Sequence, residues 1–247
     1  MQLEFSGRQA LVTGGTCEIA LDLARAMIAE GIRPVLGYRS EQGHRKILDR
    51  LRGAPDAFDT LFLDLARVHD ADPQAAGLPS RIDYLVDLAQ DDLEGLVASA
   101  DSGSVRRFFD AQVSGRAALV QEVARKMLRQ KQGRLLFVSS TAASRPNAGQ
   151  GFYAAAKCAA EALYRNLGLE LACRGVTSVA LRPGYIDAGR GRRYLEGKGD
   201  RVIEQIPLGR PLTSREVVRT ILFLLSDSAR GFNATVLTMD GGLSAGK

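Results

Sequence analysis

Seven short apolar runs punctuate this chain, at residues 10–12, 34–36, 61–63, 84–86, 135–138, 178–181 and 236–238. Runs of that length with little polar alternation read as strands buried on both faces. Between most of them, apolar residues recur every three to four positions, over 19–28, 113–128, 155–171 and 217–225. That is the period of a helix with one buried stripe. Parallel strands need long crossovers, and right-handed helical crossovers cover both faces of a sheet. The pattern therefore predicts an α/β chain, a doubly wound parallel seven-stranded sheet with helices on both faces and ligands at the carboxyl ends of its strands.

At 247 residues and 45% hydrophobic content, the chain supports one sizeable core, so residues 1–247 read as a single domain. A strand begins by Ala10, which leaves no charged and apolar leader pattern before it. No apolar run approaches the ~20 residues of a membrane span. Cys17, Cys158 and Cys173 are odd in number and lack Cys-x-x-Cys spacing, which argues against disulfides or zinc and for a cytoplasmic setting. His44 and His69 read as surface residues, with no metal site. The formal charge of +5 comes mostly from Arg, grouped at 190–193 and along 125–134. Such groups read as solvated faces or as docking surfaces for an anionic partner or phosphate-bearing substrate. No aromatic interleaving points to nucleic acid. Residues 187–212, rich in Gly and Arg, read as a long irregular lid or disordered segment. Pro73 and Pro79 are expected to interrupt any helix over 66–80.

The chemistry centres on Tyr153-Ala-Ala-Ala-Lys157, with Ser140 thirteen residues before the tyrosine. With 6 Tyr and 6 Lys in the chain, chance alone supplies about 0.15 such motifs, so the surroundings must carry the reading. Positions i and i+4 share a helix face, which puts the Lys157 ammonium beneath the Tyr153 phenol. A cation there favours the phenolate and eases proton exchange. Ser140, at the end of the fifth strand, can bond the same substrate oxygen.

Thr13-Gly14 lies between the first strand and a helix, where a dinucleotide pyrophosphate meets backbone N–H groups. A Gly-x-x-x-Gly-x-Gly loop needs glycine at 14, 18 and 20, and this chain has Gly14, Glu18 and Ala20. Two readings of Glu18 stand. About 5 Å from a phosphate charge, at an effective dielectric near ~20, its carboxylate is repelled by roughly 3 kcal/mol. With no phosphate there, it complements the helix dipole by ~0.3–1 kcal/mol. Arg39 and Ser40 follow the second strand where an acidic ribose ligand would select NADH, and they suit the 2′-phosphate of NADPH. Asp64 is a candidate for the adenine edge or a turn cap.

Thr13-Gly14, Asp64, Ser140, Tyr153 to Lys157, Arg182-Pro183-Gly184-Tyr185-Ile186-Asp187 and Asp240-Gly241-Gly242, in that order, resemble the short-chain dehydrogenase/reductases across essentially the whole chain. Ile206 to Arg210 and Leu222 to Asp227 are similar to the 3-oxoacyl-carrier-protein reductase branch. The resemblance implies a Rossmann-like fold and proton transfer from Tyr153, with Ser140 polarising the carbonyl and Lys157 tuning the phenol. It implies cofactor contacts at Thr13, Gly14, Thr16, Ile19, Arg39 and Ser40. Further contacts are implied at Asp64, Leu65, Ala89, Tyr153, Lys157, Pro183, Gly184 and Ile186.

Several positions depart from that family. Asp87-Leu88-Ala89-Gln90 replaces Asn-Asn-Ala-Gly; Gln112 stands in the place of a catalytic Asn and keeps the amide for a water-mediated proton relay from Lys157; Ala188 replaces a Thr that touches the nicotinamide amide, and Gly231 to Thr235, with Ala234, replaces a Thr-Gly. Lys131, Arg174 and Arg129 match basic residues that meet an acyl carrier protein. The expected assembly is a homotetramer or dimer, or a hetero-oligomer with another family member. The implied activity is NADPH-dependent reduction of a 3-oxoacyl thioester in fatty-acid or polyketide-type biosynthesis. The alternatives are a non-catalytic or weakly catalytic subunit partnering an active reductase, and an alcohol or sugar dehydrogenase.

Overall fold

Seven parallel strands form one sheet: β1 (Gln9–Thr13), β2 (Arg33–Tyr38), β3 (Asp59–Phe62), β4 (Tyr84–Asp87), β5 (Gly133–Val138), β6 (Val176–Pro183) and β7 (Thr235–Met239). The structure, a computed structural model, describes residues 3–68 and 77–245. Strand order is β3-β2-β1-β4-β5-β6-β7, so the direction of winding reverses between β1 and β4, and a crevice opens beyond their carboxyl ends. The helices are α1 (Glu18–Ala29), α2 (Glu41–Arg50), α3 (Ser102–Phe109), α4 (Arg116–Gln130), α5 (Gly151–Leu171), α6 (Gly189–Ile203) and α7 (Ser214–Leu225).

Successive side chains of each strand point to opposite faces. Ala10, Val12, Leu36 and Val86 pack with Ala20, Leu23 and Met27 of α1 and with Val217, Ile221 and Leu224 of α7. Leu11, Leu85, Leu135 and Phe137 pack on the other face with Leu119, Val120 and Val123 of α4 and with Ala160 and Tyr164 of α5. Each fully buried Leu, Ile or Val contributes ~1.5–3 kcal/mol. The two clusters together hold the strand ends in one plane.

Between α3 and α4 the chain makes a π-helical turn over Asp110–Gly115. A Cβ at Gly115 would lie 1.9 Å from the Leu65 carbonyl oxygen, so only glycine lets the β3–β4 connection approach this turn. The widened turn aims Gln112 and Arg116 toward the end of β4, where both are buried. Such turns commonly occur beside functional sites.

Four expectations change. The segment read as an irregular lid is largely the helix α6; its Gly and Arg content hid the apolar anchors Val202 and Ile206, both buried. Its base is stitched by Asp187 N–H to the Leu212 carbonyl and Leu212 N–H to the Tyr185 carbonyl, both 2.8 Å. The third strand begins at Asp59 and stops at Phe62, before Leu63. His44 is half-buried rather than on the surface, stacked 4.4 Å from the Tyr38 ring and bonded to Thr60 Oγ1 at 3.1 Å. Arg134 lies inside β5 instead of on a solvated face, giving a guanidinium hydrogen bond to the Ala229 carbonyl. His69 and the interruption expected at Pro73 lie outside the described residues.

Candidate active site

The crevice beyond β1, β4 and β5 is a cleft of about 760 Å³, within the usual range for a cofactor site. Ser140 follows β5 and caps a short 3-10 turn over Thr141–Ala143, its Oγ accepting the Ala142 N–H at 3.2 Å. Tyr153 sits in the first turn of α5 and Lys157 one turn later, on the same face. Both are buried at 6% and 4% exposure. The Ser140 and Tyr153 side chains both line the cleft. The Lys157 ammonium donates to the Val138 carbonyl at 2.8 Å and lies 5.7 Å from the Tyr153 ring centre.

Burial raises the Tyr153 phenol above its ordinary value and Glu94 adds to this, while the neighbouring Ser140 hydroxyl and Arg116 oppose it. Burial also drives Lys157 down to about 7, with Arg116 pushing the same way and Asp87 and Glu161 opposing. The arrangement therefore holds an acid that keeps its proton next to an amine that exchanges one near neutrality. That combination can protonate a developing alkoxide.

At the glycine loop, Gly14 has φ +63°, and a Cβ there would lie 2.9 Å from the Ala89 nitrogen and the Leu88 oxygen. Thr13 is fully buried. Its Oγ1 donates to Asp87 Oδ1 at 2.7 Å and accepts the Leu88 and Ala89 N–H groups, each at 3.0 Å. It binds the end of β4 instead of facing the cleft. Cys17 caps α1, its Sγ accepting the Ala20 N–H at 3.4 Å. Ala20, in the place of a glycine, is fully buried against the core.

Glu18 follows neither reading in its simple form. Its Oε2 accepts the Gly189 N–H at 3.1 Å and its Oε1 the Arg192 guanidinium at 3.1 Å, tying the loop to the start of α6. Arg192 also holds Asp187 Oδ1 at 2.8 Å. On the opposite wall Arg190 pairs with Asp92, and its Cζ lies 5.1 Å from the Tyr153 ring centre. Helix α6 is thus joined by arginines to both walls of the cleft.

Ile19, Ser140, Tyr153, Lys157, Pro183, Gly184 and Ile186 meet in the cleft lining. The other expected residues are placed differently. Thr16 packs where a Cβ on Gly43 would meet its Cγ2 at 2.8 Å. Ser40 caps α2 through the Gly43 N–H at 3.1 Å. Asp64 is a turn cap, accepting the Ala66 N–H at 3.1 Å, and Leu65 is buried in the core. Arg39 is ion-paired with Asp91. Ala89 uses its N–H on Thr13 and its carbonyl on Arg116.

Gln112 makes no direct hydrogen bond to Lys157, whose ammonium is held by the Val138 carbonyl. Its Nε2 donates to Asp91 Oδ2 at 3.2 Å and its Oε1 accepts Arg116 Nη2 at 3.3 Å. The amide is engaged by Asp91 and by the neighbouring Arg116 guanidinium. Lys131, in the left-handed conformation at the end of α4, and Arg174, just past α5, lie at the amino ends of β5 and β6. They are at the far end of the sheet from Tyr153.

Residues that sequence reasoning missed are Arg190, read as part of a solvated cluster, and the buried pair Arg116 and Asp87. The available signal was Asp87 in an Asn position together with an Arg on the apolar face of α4. The cleft fits a nicotinamide dinucleotide: Gly14 lets the first loop lie against the Leu88–Ala89 backbone, the start of α1 lines one end of the cleft, and Lys157 and Tyr153 line the other.

A doubly wound parallel sheet with a Ser, Tyr, Lys cluster in its switch-point cleft defines an NAD(P)-dependent oxidoreductase acting on CH–OH groups. The family model described as Enoyl-(Acyl carrier protein) reductase matches residues 16–244. The chain is 27% identical over 241 residues to 3-oxoacyl-[acyl-carrier-protein] reductase FabG of Salmonella typhimurium, covering 98% of this chain and 99% of that protein. It is 26% identical over 245 residues to 3-oxoacyl-[acyl-carrier-protein] reductase MabA of Mycobacterium tuberculosis, covering 98% and 95%. A solved structure described as a short chain dehydrogenase/reductase family protein superposes with TM-score 0.85 at 31% identity, over 99% of this chain and 100% of that one. This chain belongs to the short-chain dehydrogenase/reductase family.

Proposed function

We propose that this protein is an NADPH-dependent ketoreductase that converts a 3-oxoacyl thioester, carried on an acyl carrier protein, to the 3-hydroxyacyl form in fatty-acid or polyketide-type biosynthesis. The observation that carries the reading is the meeting of Ser140 with the buried Tyr153 and Lys157 in the lining of one cleft. The names of the FabG and MabA relatives support the thioester substrate. Arg39 at the end of β2 supports NADPH, the guanidinium exchanging Asp91 for a 2′-phosphate.

The nicotinamide cofactor, when bound, supplies the hydride. Ile19, Pro183, Gly184 and Ile186 would line its site, with Lys157 and Tyr153 at the reacting end. Ser140 holds the substrate carbonyl oxygen. Tyr153 gives its proton to that oxygen as negative charge develops, and Lys157 supports the phenolate left behind. Residues 189–194 at the start of α6 line the cleft.

Carrier docking at Lys131, Arg174 and Arg129 places the carrier at the end of α5 opposite Tyr153. The 21 residues of that helix span about 30 Å. A carrier held there serves the cleft of a second protomer, so this reading requires a dimer or tetramer. Oxidation of NADPH followed at 340 nm with 3-oxoacyl thioesters tests the function. Turnover that disappears in Tyr153→Phe is expected; no oxidation with any such thioester refutes it. The rival of a weakly catalytic partner subunit rests on Glu18, bound by α6 and facing the phosphate end. NADPH titration by fluorescence separates the two, since that subunit binds no cofactor until Glu18 is removed.

A further inference from the structure

Behind Tyr153 the fold buries a second cation. Arg116 is 1% exposed, with Nε donating to Asp87 Oδ2 at 2.8 Å and its Nη groups donating to the carbonyls of Gln112 and Ala89. Asp87, equally buried, also accepts from Thr13 Oγ1 at 2.7 Å and Tyr164 Oη at 3.0 Å. Arg116 Cζ lies 5.3 Å from the centre of the Phe137 ring, and Lys157 Nζ lies 4.7 Å from the same centre. One aromatic side chain of β5 therefore has both cations against it. No dinucleotide contact explains an arginine at this depth, because its donors face Asp87, the Gln112 side chain and two backbone carbonyls.

We propose that Arg116, clamped by Asp87, is a positioning residue that governs how readily Lys157 releases its proton. The proposal rests on the reading of Tyr153 and Lys157 as the proton-transfer pair. Two like charges in a dry site oppose each other, and the lysine, unlike the arginine, can relieve the repulsion by becoming neutral. The groups around Lys157 are Arg116 from α4, Asp87 from β4, Tyr153, Glu161 and Tyr164 from α5, and Arg182 of β6, which is held by Glu161 at 2.6 Å. Asp87 faces both cations, but its closest charged bond is to Arg116, and Glu161 is shared with Arg182. Lys157 is thus left with a cation whose charge is permanent and with anions already engaged. After Tyr153 gives its O–H proton to the substrate oxygen, a Lys157 N–H proton can pass to the phenolate, and water returns a proton to the neutral amine.

The test is acetylation of Lys157 by acetic anhydride across pH, read by mass spectrometry, in the full chain. The wild-type midpoint is expected near neutrality. Asp87→Asn combined with Arg116→Met removes the cation and its clamp together and is expected to raise the midpoint, because Arg116 lowers Lys157 by more than Asp87 raises it, and so to reduce labelling at pH 7.5. Asp87→Asn alone leaves Arg116 unneutralised and is expected to lower the midpoint. An unmoved midpoint in either Asp87→Asn variant that folds overturns the proposal, as does a wild-type midpoint near that of free lysine. Loss of turnover in Tyr153→Phe is measured separately: if turnover persists there, the functional reading falls while the labelling result stands.

Discussion

Cutting the bond between Arg116 and Asp87 from one side is expected to be among the most damaging changes this fold can suffer. Both side chains are 1% exposed and meet at 2.8 Å. At an effective dielectric near ~20 and about 4 Å between charge centres, the attraction is ~4 kcal/mol. Arg116→Met leaves the Asp87 carboxylate in the core with only Thr13 and Tyr164 as donors. Removing one partner of a buried pair typically costs about 3–5 kcal/mol, whereas replacing both with neutral groups of similar shape is near neutral. For a chain of this size each kcal/mol moves Tm by ~2–4 °C, so Arg116→Met is expected to lower it by roughly 6–20 °C. Asp87→Asn alone is expected to cost a comparable amount, and the double variant to return to within about 2 kcal/mol of wild type. Urea unfolding followed by circular dichroism measures all four corners of this cycle. Costs that simply add in the double variant would refute the claim that the pair acts as a unit.

The same pair has a pH signature. Burial alone pushes the Asp87 carboxyl up, but Arg116 and the Thr13 and Tyr164 hydrogen bonds outweigh it, and the folded carboxyl is held below its ordinary value. A depressed carboxyl contributes stability that is present above its unfolded value, near ~3.9, and lost as pH falls through the folded one. Acid unfolding of the wild type should therefore steepen below about pH 4, and the double variant should lose that component.

Two further variants test the edges of the cleft and the sheet. Glu18→Gly removes a carboxylate that approaches the expected phosphate site and frees Arg192; NADPH is expected to bind at least about tenfold tighter by fluorescence titration, and unchanged or weaker binding would mean that Glu18 serves only to hold α6. Ala234 has φ +54°, a left-handed conformation that strains any side chain, so Ala234→Gly is expected to stabilise the chain by ~0.5–1 kcal/mol in thermal or urea unfolding.

Much of this architecture is legible from local pattern. The strand runs and helical periods predict the doubly wound sheet, because a residue two or four positions away along the chain decides which face is buried. The spacing of Tyr153 and Lys157 is equally local, since one turn of α5 is enough to align them. The glycine at position 14 could be read, whereas Gly115 could not: its need arises from the Leu65 carbonyl, which arrives from the β3–β4 connection. The helical state of α6 was hidden for a related reason. Its glycines and arginines disfavour a buried helix by composition, and its anchors at Leu212 and Glu18 come from elsewhere in the chain.

The sequence by itself determined the number of strands, the doubly wound class of the sheet and the residue types able to move a proton at its carboxyl ends. Tertiary structure alone decided the electrical state of those residues. Glu18 is joined to a residue 171 positions away, Arg39 is engaged by Asp91, and Lys157 shares Phe137 with a buried arginine. The charge a group carries depends on how much water it loses and on which counter-charges surround it, and both are set by elements that meet only when the chain has folded.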